Sequence, residues 1–199
     1  MPTGIALRDA RAQLLSAGER VLLREGPAGL TSRAVTDEAE VAKGVLHRHF
    51  VTFDGFLAAL VQEQINTVNA TAFDLLGRAG SGTVVGNLTS ALTELFQPLG
   101  LAVVRLVLSR SNLAIGIRAD AQRGIPVLSE AIHGFSVYLA AEQRTGRIVV
   151  SAAPDSLAHT LIGTGHLLFA GELGGLPDES AVLEIVEAIV VGSEPGAID

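Results

Sequence analysis

The sequence predicts an all-α fold in two parts: a three-helix head at the amino terminus, about residues 1–53, and a larger helical body over 54–199. Two observations predict it. Apolar residues recur at helical spacing almost throughout, and Gly/Pro punctuation falls at intervals typical of helices. The one strand-like run, Arg147 to Val150, is four residues long and cannot make a sheet. With 48% hydrophobic and 18% charged residues in 199, the composition is globular rather than disordered.

Several classes fall away early. Cysteine is absent, which excludes disulfides and thiolate metal sites and fits a reducing, cytoplasmic setting. The opening MPTGIALRDARAQLL scatters charges among its apolar residues and does not read as a signal peptide. The greasiest run, Leu99 to Ile117, contains Arg105, Ser109, Arg110, Ser111 and Asn112. A membrane span needs roughly 20 mostly apolar residues, and a central arginine costs about 2.5–3.5 kcal/mol, so no span is expected. The net charge of −7 is unevenly placed. Residues 1–50 hold seven Lys/Arg against six Asp/Glu, a balance of +1, whereas 51–199 hold seven against fifteen, a balance of −8. That asymmetry suits a head facing phosphate on a body that phosphate repels.

The elements follow in order. Ala10, Leu14, Ala17 and Val21 form one stripe of a first helix, which Gly26-Pro27 stops. Thr31 or Ser32 can cap a short second helix with Val35 and Ala39 inward. A third runs from about Lys43 to Phe50, with Leu46 and Phe50 stacked four apart. Thr52 or Asp54 can cap a fourth, running to about Arg78 with Phe56, Leu57, Leu60, Val61 and Ile65 inward. Further helices are expected near 83–96, 98–119, 124–144, 154–173 and 178–192.

The stretch LTSRAVTDEAEVAKGVLHRHF, Leu30 to Phe50, carries the sharpest chemistry. Two short helices joined by a tight bend make a helix-turn-helix, in which the second helix enters the DNA major groove. Such a helix needs apolar anchors inward and small, basic or hydrogen-bonding residues outward. Leu46 and Phe50 are the anchors, and Val41 plugs the bend. The outward set is Lys43, Gly44, Val45, His47 and Arg48, with His49 beside it. Lys43 and Arg48 can reach phosphate or guanine, Gly44 permits close backbone approach, and the imidazoles can donate to phosphate. Thr31, Ser32, Arg33 and Thr52, at the ends of the neighbouring helices, complete the candidate DNA-binding residues.

This run resembles the N-terminal domain of TetR-family transcriptional repressors, whose pattern is roughly T-x-x-x-I-A-x-x-A-G-V-S-x-G-T-L-Y-x-H-F. Thr31, Val35, Ala39, Val41, Lys43, Gly44, Leu46, Arg48, His49 and Phe50 fall into that register, and Leu14 to Gly26 is similar to the family's first helix. The resemblance covers about residues 8–62. There are departures. Glu40 stands at the turn glycine, where a left-handed backbone costs a non-glycine residue about 1–2 kcal/mol. Ala42 replaces a capping serine, a loss of about 0.5–2 kcal/mol. Val45 replaces a threonine, His47 a tyrosine, and Phe53 a lysine that commonly meets phosphate.

Enzyme signatures are missing: there is no G-x-S-x-G, no P-loop and no H-E-x-x-H. Gly163-Thr164-Gly165 and Gly171 lie in a helical pattern and read as close helix packing. His159 and His166 share a helix face, but no carboxylate joins them at ligand spacing, so neither metal nor cofactor is expected. The last two helices are apolar on more than one face, as a symmetric homodimer interface requires, with Leu157, Leu161, His166, Phe169, Leu183, Val186 and Val190 as its candidates. The resemblance implies the same: two C-terminal helices from each subunit in a four-helix bundle. It also implies a small-molecule effector pocket among the middle helices. Its candidate lining is Phe96, Leu99, Arg105, Leu108, Ser109, Asn112, His133, Phe135 and Tyr138, with Arg105 expected as a buried guanidinium paired to a ligand carboxylate, Asp74 or Glu130. The expected protein is a non-enzymatic, ligand-released repressor binding a palindromic operator as a dimer. The rivals are a helical ligand-binding or interaction module that has lost DNA binding, and an all-helical enzyme.

Overall fold

The computed structural model describes residues 10–110, 124–171 and 175–190. Every regular element among them is a helix: α1 (Ala10–Gly29), α2 (Ser32–Glu38), α3 (Lys43–Phe50), α4 (Phe53–Gly77), α5 (Val84–Leu95), α6 (Pro98–Ser109), α7 (Leu128–Arg144), α8 (Pro154–Phe169) and α9 (Glu179–Val190). Arg147–Val150 forms no strand. No single described helix is long and apolar enough to cross a membrane. The expected helices over 98–119, 154–173 and 178–192 extend beyond the described residues, and so does Asn112.

The chain divides into two compact units, Met1–Gln64 with Pro98–Pro126, and Ile65–Gln97 with Val127–Asp199. In the first, α1 packs against α2, α3 and α6. Its inward stripe is Leu14, Ala17, Gly18 and Val21, widened by Leu15 and Leu22. The helix breaks at Gly26, whose φ of 69° and ψ of −175° are open to glycine, and Pro27 begins the last turn. Gly18 is needed for packing: a Cβ there would lie 2.5 Å from Cζ of Phe56 on α4. On α6 the residues Leu101, Val103, Val104, Leu106 and Val107 are buried. Arg105 falls with Leu108 and Ser109 on the opposite, exposed face. The expectation of a buried Arg105 guanidinium is therefore corrected, because helical periodicity turns it outward from the stripe that packs.

In the second unit α7 packs on α8, and α9 packs on α5 and α8. Phe96, Phe135, Tyr138, Leu139, Leu161, Ile162, Val186 and Val190 are among its buried residues. Of the small residues in α8, Gly165 has a packing role, since a Cβ there would come within 2.7 Å of the Phe96 ring, whereas Gly163 faces open space.

A polar latch closes the turn after α4. Glu142 on α7 is completely buried. It accepts from the Gly80 N–H at 3.2 Å and from the Arg147 guanidinium at 3.3 Å. Arg147 donates onward to the carbonyls of Ser81 (3.3 Å) and Gly82 (2.6 Å). Asn87 donates to the Ser81 carbonyl at 2.9 Å and to the Tyr138 hydroxyl at 3.1 Å. Burial, together with the hydrogen bond to Glu142, pushes the Tyr138 phenol well above its ordinary range, so it stays protonated. Removing one partner of a buried charge pair strands the other. Glu142→Ala should lower the unfolding free energy by about 3 kcal/mol. Urea unfolding checks this; a loss below about 0.5 kcal/mol would show the latch to be idle.

Candidate nucleic-acid interface

The bracing helix is built first. Thr31 has extended backbone and its hydroxyl accepts from the Ala34 N–H at 3.1 Å, capping α2. Glu38 at the other end accepts from Arg20 at 2.7 Å and Arg24 at 3.0 Å, which pins α2 to α1. Those hydrogen bonds, first from Arg20 and then from Arg24, hold its carboxyl below the usual range. Two amides then close the bend: Glu40 N–H donates to the Asp37 carbonyl at 3.1 Å and Val41 N–H to that of Thr36 at 3.0 Å. Glu40 sits at φ 54°, the left-handed region that its position in the motif implied.

Ala42 precedes α3 with extended backbone and no side-chain cap, so the missing serine is not replaced locally. Leu46 is fully buried and Phe50 is 8% exposed. Lys43, Gly44, His47 and Arg48 are exposed, and Val45 and His49 are half-buried. Nothing lies within 4 Å of a Cβ built on Gly44, so that backbone is open to approach. The helix ends at Val51, whose φ of 62° is rare for a β-branched residue and had no signal in the sequence. His47, Arg48 and His49 all fall in the last turn, where the carbonyl ends favour positive charge.

The remaining candidates divide. Thr52 is exposed and its hydroxyl accepts from Gly55 N–H at 3.0 Å, leaving its proton free for phosphate. Arg33 is exposed and paired with Asp37 at 3.5 Å, one turn away. An exposed pair is worth about 0–1 kcal/mol, little to give up for DNA. His47 is exposed, and its Nδ1 lies 3.1 Å from the Val51 carbonyl. The Ser32 hydroxyl and His49 Nε2 are buried without a hydrogen-bond partner, so neither polar atom is presented to solvent.

The other sets are scattered. Among effector candidates, Phe96, Phe135 and Tyr138 are buried in the second unit and His133 there is exposed, whereas Arg105 and Ser109 belong to the first unit. Tyr138 is committed to the latch. A cavity of about 440 Å³ in the second unit is lined instead by Thr89, Ser90, Thr93, Glu94, Gln97, Phe169, Pro177, Asp178, Glu179 and Val182. Sequence reasoning named only Phe169 of these, because a cavity wall drawn from three helices has no periodic signature. Of the interface candidates, Leu161, Val186 and Val190 are spent within this chain, Leu157, His166 and Phe169 are half-buried, and Leu183 is exposed.

Residues 14–60 match bacterial regulatory proteins of the tetR family. The HTH-type transcriptional repressor DhaR of Mycobacterium sp. (strain GP1) is 26% identical over 162 residues, 80% of each chain. Residues 14–60 therefore carry a TetR-type N-terminal domain. Among solved TetR-like folds, the reduced form of NemR from E. coli aligns with a TM-score of 0.75 at 21% identity, covering 94% of this chain and 100% of that one. A gamma-butyrolactone receptor, an ArpA-like protein, aligns with a TM-score of 0.62 at 21% identity, covering 94% and 98%. The matched segment is that of bacterial transcriptional regulators, and its departures from the TetR pattern at Glu40 and Ala42 are physical ones. Relieving the first, Glu40→Gly should raise the unfolding free energy by about 1 kcal/mol, since glycine adopts φ 54° without a Cβ clash. Denaturant titration checks it, and no gain would mean the turn carries no strain.

Proposed function

We propose that this regulator is a repressor that binds a palindromic operator as a homodimer and is released by a small-molecule effector. The observation that carries DNA reading is the division of α3: Leu46 and Phe50 buried, Lys43, Gly44, His47 and Arg48 exposed. The contact set is these four with Val45, Thr31, Arg33 and Thr52. Lys43 and Arg48 supply the charge, and Val45 replaces a hydroxyl contact with an apolar one suited to a thymine methyl. On this reading residues 1–53 read DNA, 54–199 take the effector and the second copy, no reaction is catalysed, and the protein works in the cytoplasm.

Dimerisation is supported by the exposed apolar positions Leu167 on α8 and Leu183 on α9. A twofold pair would set two recognition helices about 34–36 Å apart, matching successive major grooves. Effector release follows population shift: to favour the released state a hundredfold, the effector must bind it about 2.7 kcal/mol more tightly. DhaR is named a repressor, and EbrR, similar in fold with a TM-score of 0.61 at 22% identity over 90% of this chain and 89% of that one, is named a multidrug binding protein. Both names fit the reading. A module that has lost DNA binding is the second reading, favoured by the strained Glu40 and uncapped Ala42.

Selection from random duplex DNA followed by binding to the selected sequence separates the two. Lys43→Ala and Arg48→Ala should each weaken binding and leave thermal unfolding unchanged. Each should also flatten the slope of log affinity against log salt by about 0.9 for every phosphate its side chain neutralises. Unaltered affinity in both variants removes them from the interface.

A further inference from the structure

Arg110, immediately after α6, reaches the head at two points distant in sequence. Its guanidinium lies over the Phe53 ring, 5.9 Å from the centroid, and Nη2 donates to the Leu30 carbonyl at 3.3 Å. Leu30 is fully buried and directly precedes Thr31, the cap of α2. Phe53 opens α4. From Phe53 the packing continues to the recognition helix. Phe53 stacks on Phe56 at 5.6 Å, and Phe56 meets Phe50 edge-on at 5.2 Å. One planar cation thus touches the entry to the bracing helix and the start of the aromatic column that holds α3. A guanidinium suits this double task, since its face lies on a ring while its edge donates.

We propose that Arg110 is a positioning residue for DNA binding. Through Leu30 and Phe53 it holds the N-terminal ends of α2 and α4, and so sets the angle at which α3 is presented. The proposal rests on the DNA-binding reading above and extends the DNA-reading machinery to a residue outside the matched segment 14–60. Arg110 is half-buried with both its face and an edge engaged, which favours holding the head over gripping phosphate.

The test uses the full chain, the duplex selected by the wild type, and anisotropy titrations at several salt concentrations, with active fraction fixed by stoichiometric titration. Removal of a hydrogen bond and a cation–π interaction predicts that Arg110→Ala binds about tenfold more weakly per active molecule. Its salt slope should match wild type, because a side chain engaged within the head neutralises no phosphate. Arg110→Lys should recover part of the affinity, since an ammonium can still sit over the ring or donate to the carbonyl. Affinity of Arg110→Ala within twofold of wild type overturns the proposal. So does a slope flatter by about 0.9, which would make Arg110 a direct phosphate ligand. A loss confined to the active fraction, with unchanged affinity in the remaining molecules, also overturns it. A wild type that selects no duplex removes the DNA-binding reading as well, whereas failure of Arg110→Ala alone removes only this one.

Discussion

Phe56 is the contact on which the geometry of the head depends. Its ring meets Phe50 edge-on, stacks with Phe53, and occupies the space that Gly18 leaves open on α1. Three helices therefore share one aromatic joint, and the recognition helix, only eight residues long, is held by it. A helix that short is not stable by itself in water, because nucleation cost outweighs so few hydrogen bonds. Its order comes from burying Leu46 and, in this joint, Phe50, while Lys43, Gly44, His47 and Arg48 stay exposed.

Around that joint the head is assembled at local cost, beyond the positive φ at Val51. Glu40 takes a left-handed conformation without being glycine, and α3 starts without a side-chain cap. Each costs on the order of 1 kcal/mol. The compensations are tertiary. Arg20 and Arg24 hold Glu38 at the end of α2, Arg11 lies 5.5 Å over the Phe50 ring while meeting Glu63 at 3.4 Å, and Arg110 closes the loop before α2. Four of the chain's basic residues are thus occupied with holding the head. With a net charge of −7, the exposed cations of α3 sit in a chain rich in carboxylates.

In the second unit the same logic favours rigidity at one end of α4. Glu142, Arg147, Asn87 and Tyr138 satisfy the turn that follows the helix, and none of these side chains is left with an unmet charge. The cavity beside α5 and α9 mixes hydroxyls and carboxylates with Phe169, Pro177 and Val182. Its volume is within the range of small-molecule sites, about 300–1,000 Å³.

The fold class, the helix order and the faces of α1 through α4 were legible in the chain, because helical periodicity and caps are local. Thr31, Gly26-Pro27 and the anchors Leu46 and Phe50 declare themselves within a turn or two. The positive φ at Glu40 was also legible, from the motif register. What sequence could not settle were matters of facing and partnership across long separations. Arg105 sits in an apolar run yet points outward, because the packing stripe of α6 passes to either side of it. His49 and Ser32 look like DNA-facing groups by position, but His49 Nε2 and the Ser32 hydroxyl are buried. Arg110 reads as one more charge in a greasy segment until it is found against Leu30, 80 residues away in the chain. Periodicity fixes which side of a helix is apolar; only the neighbours that a folded chain supplies decide whether a given polar group is spent inside or left to act.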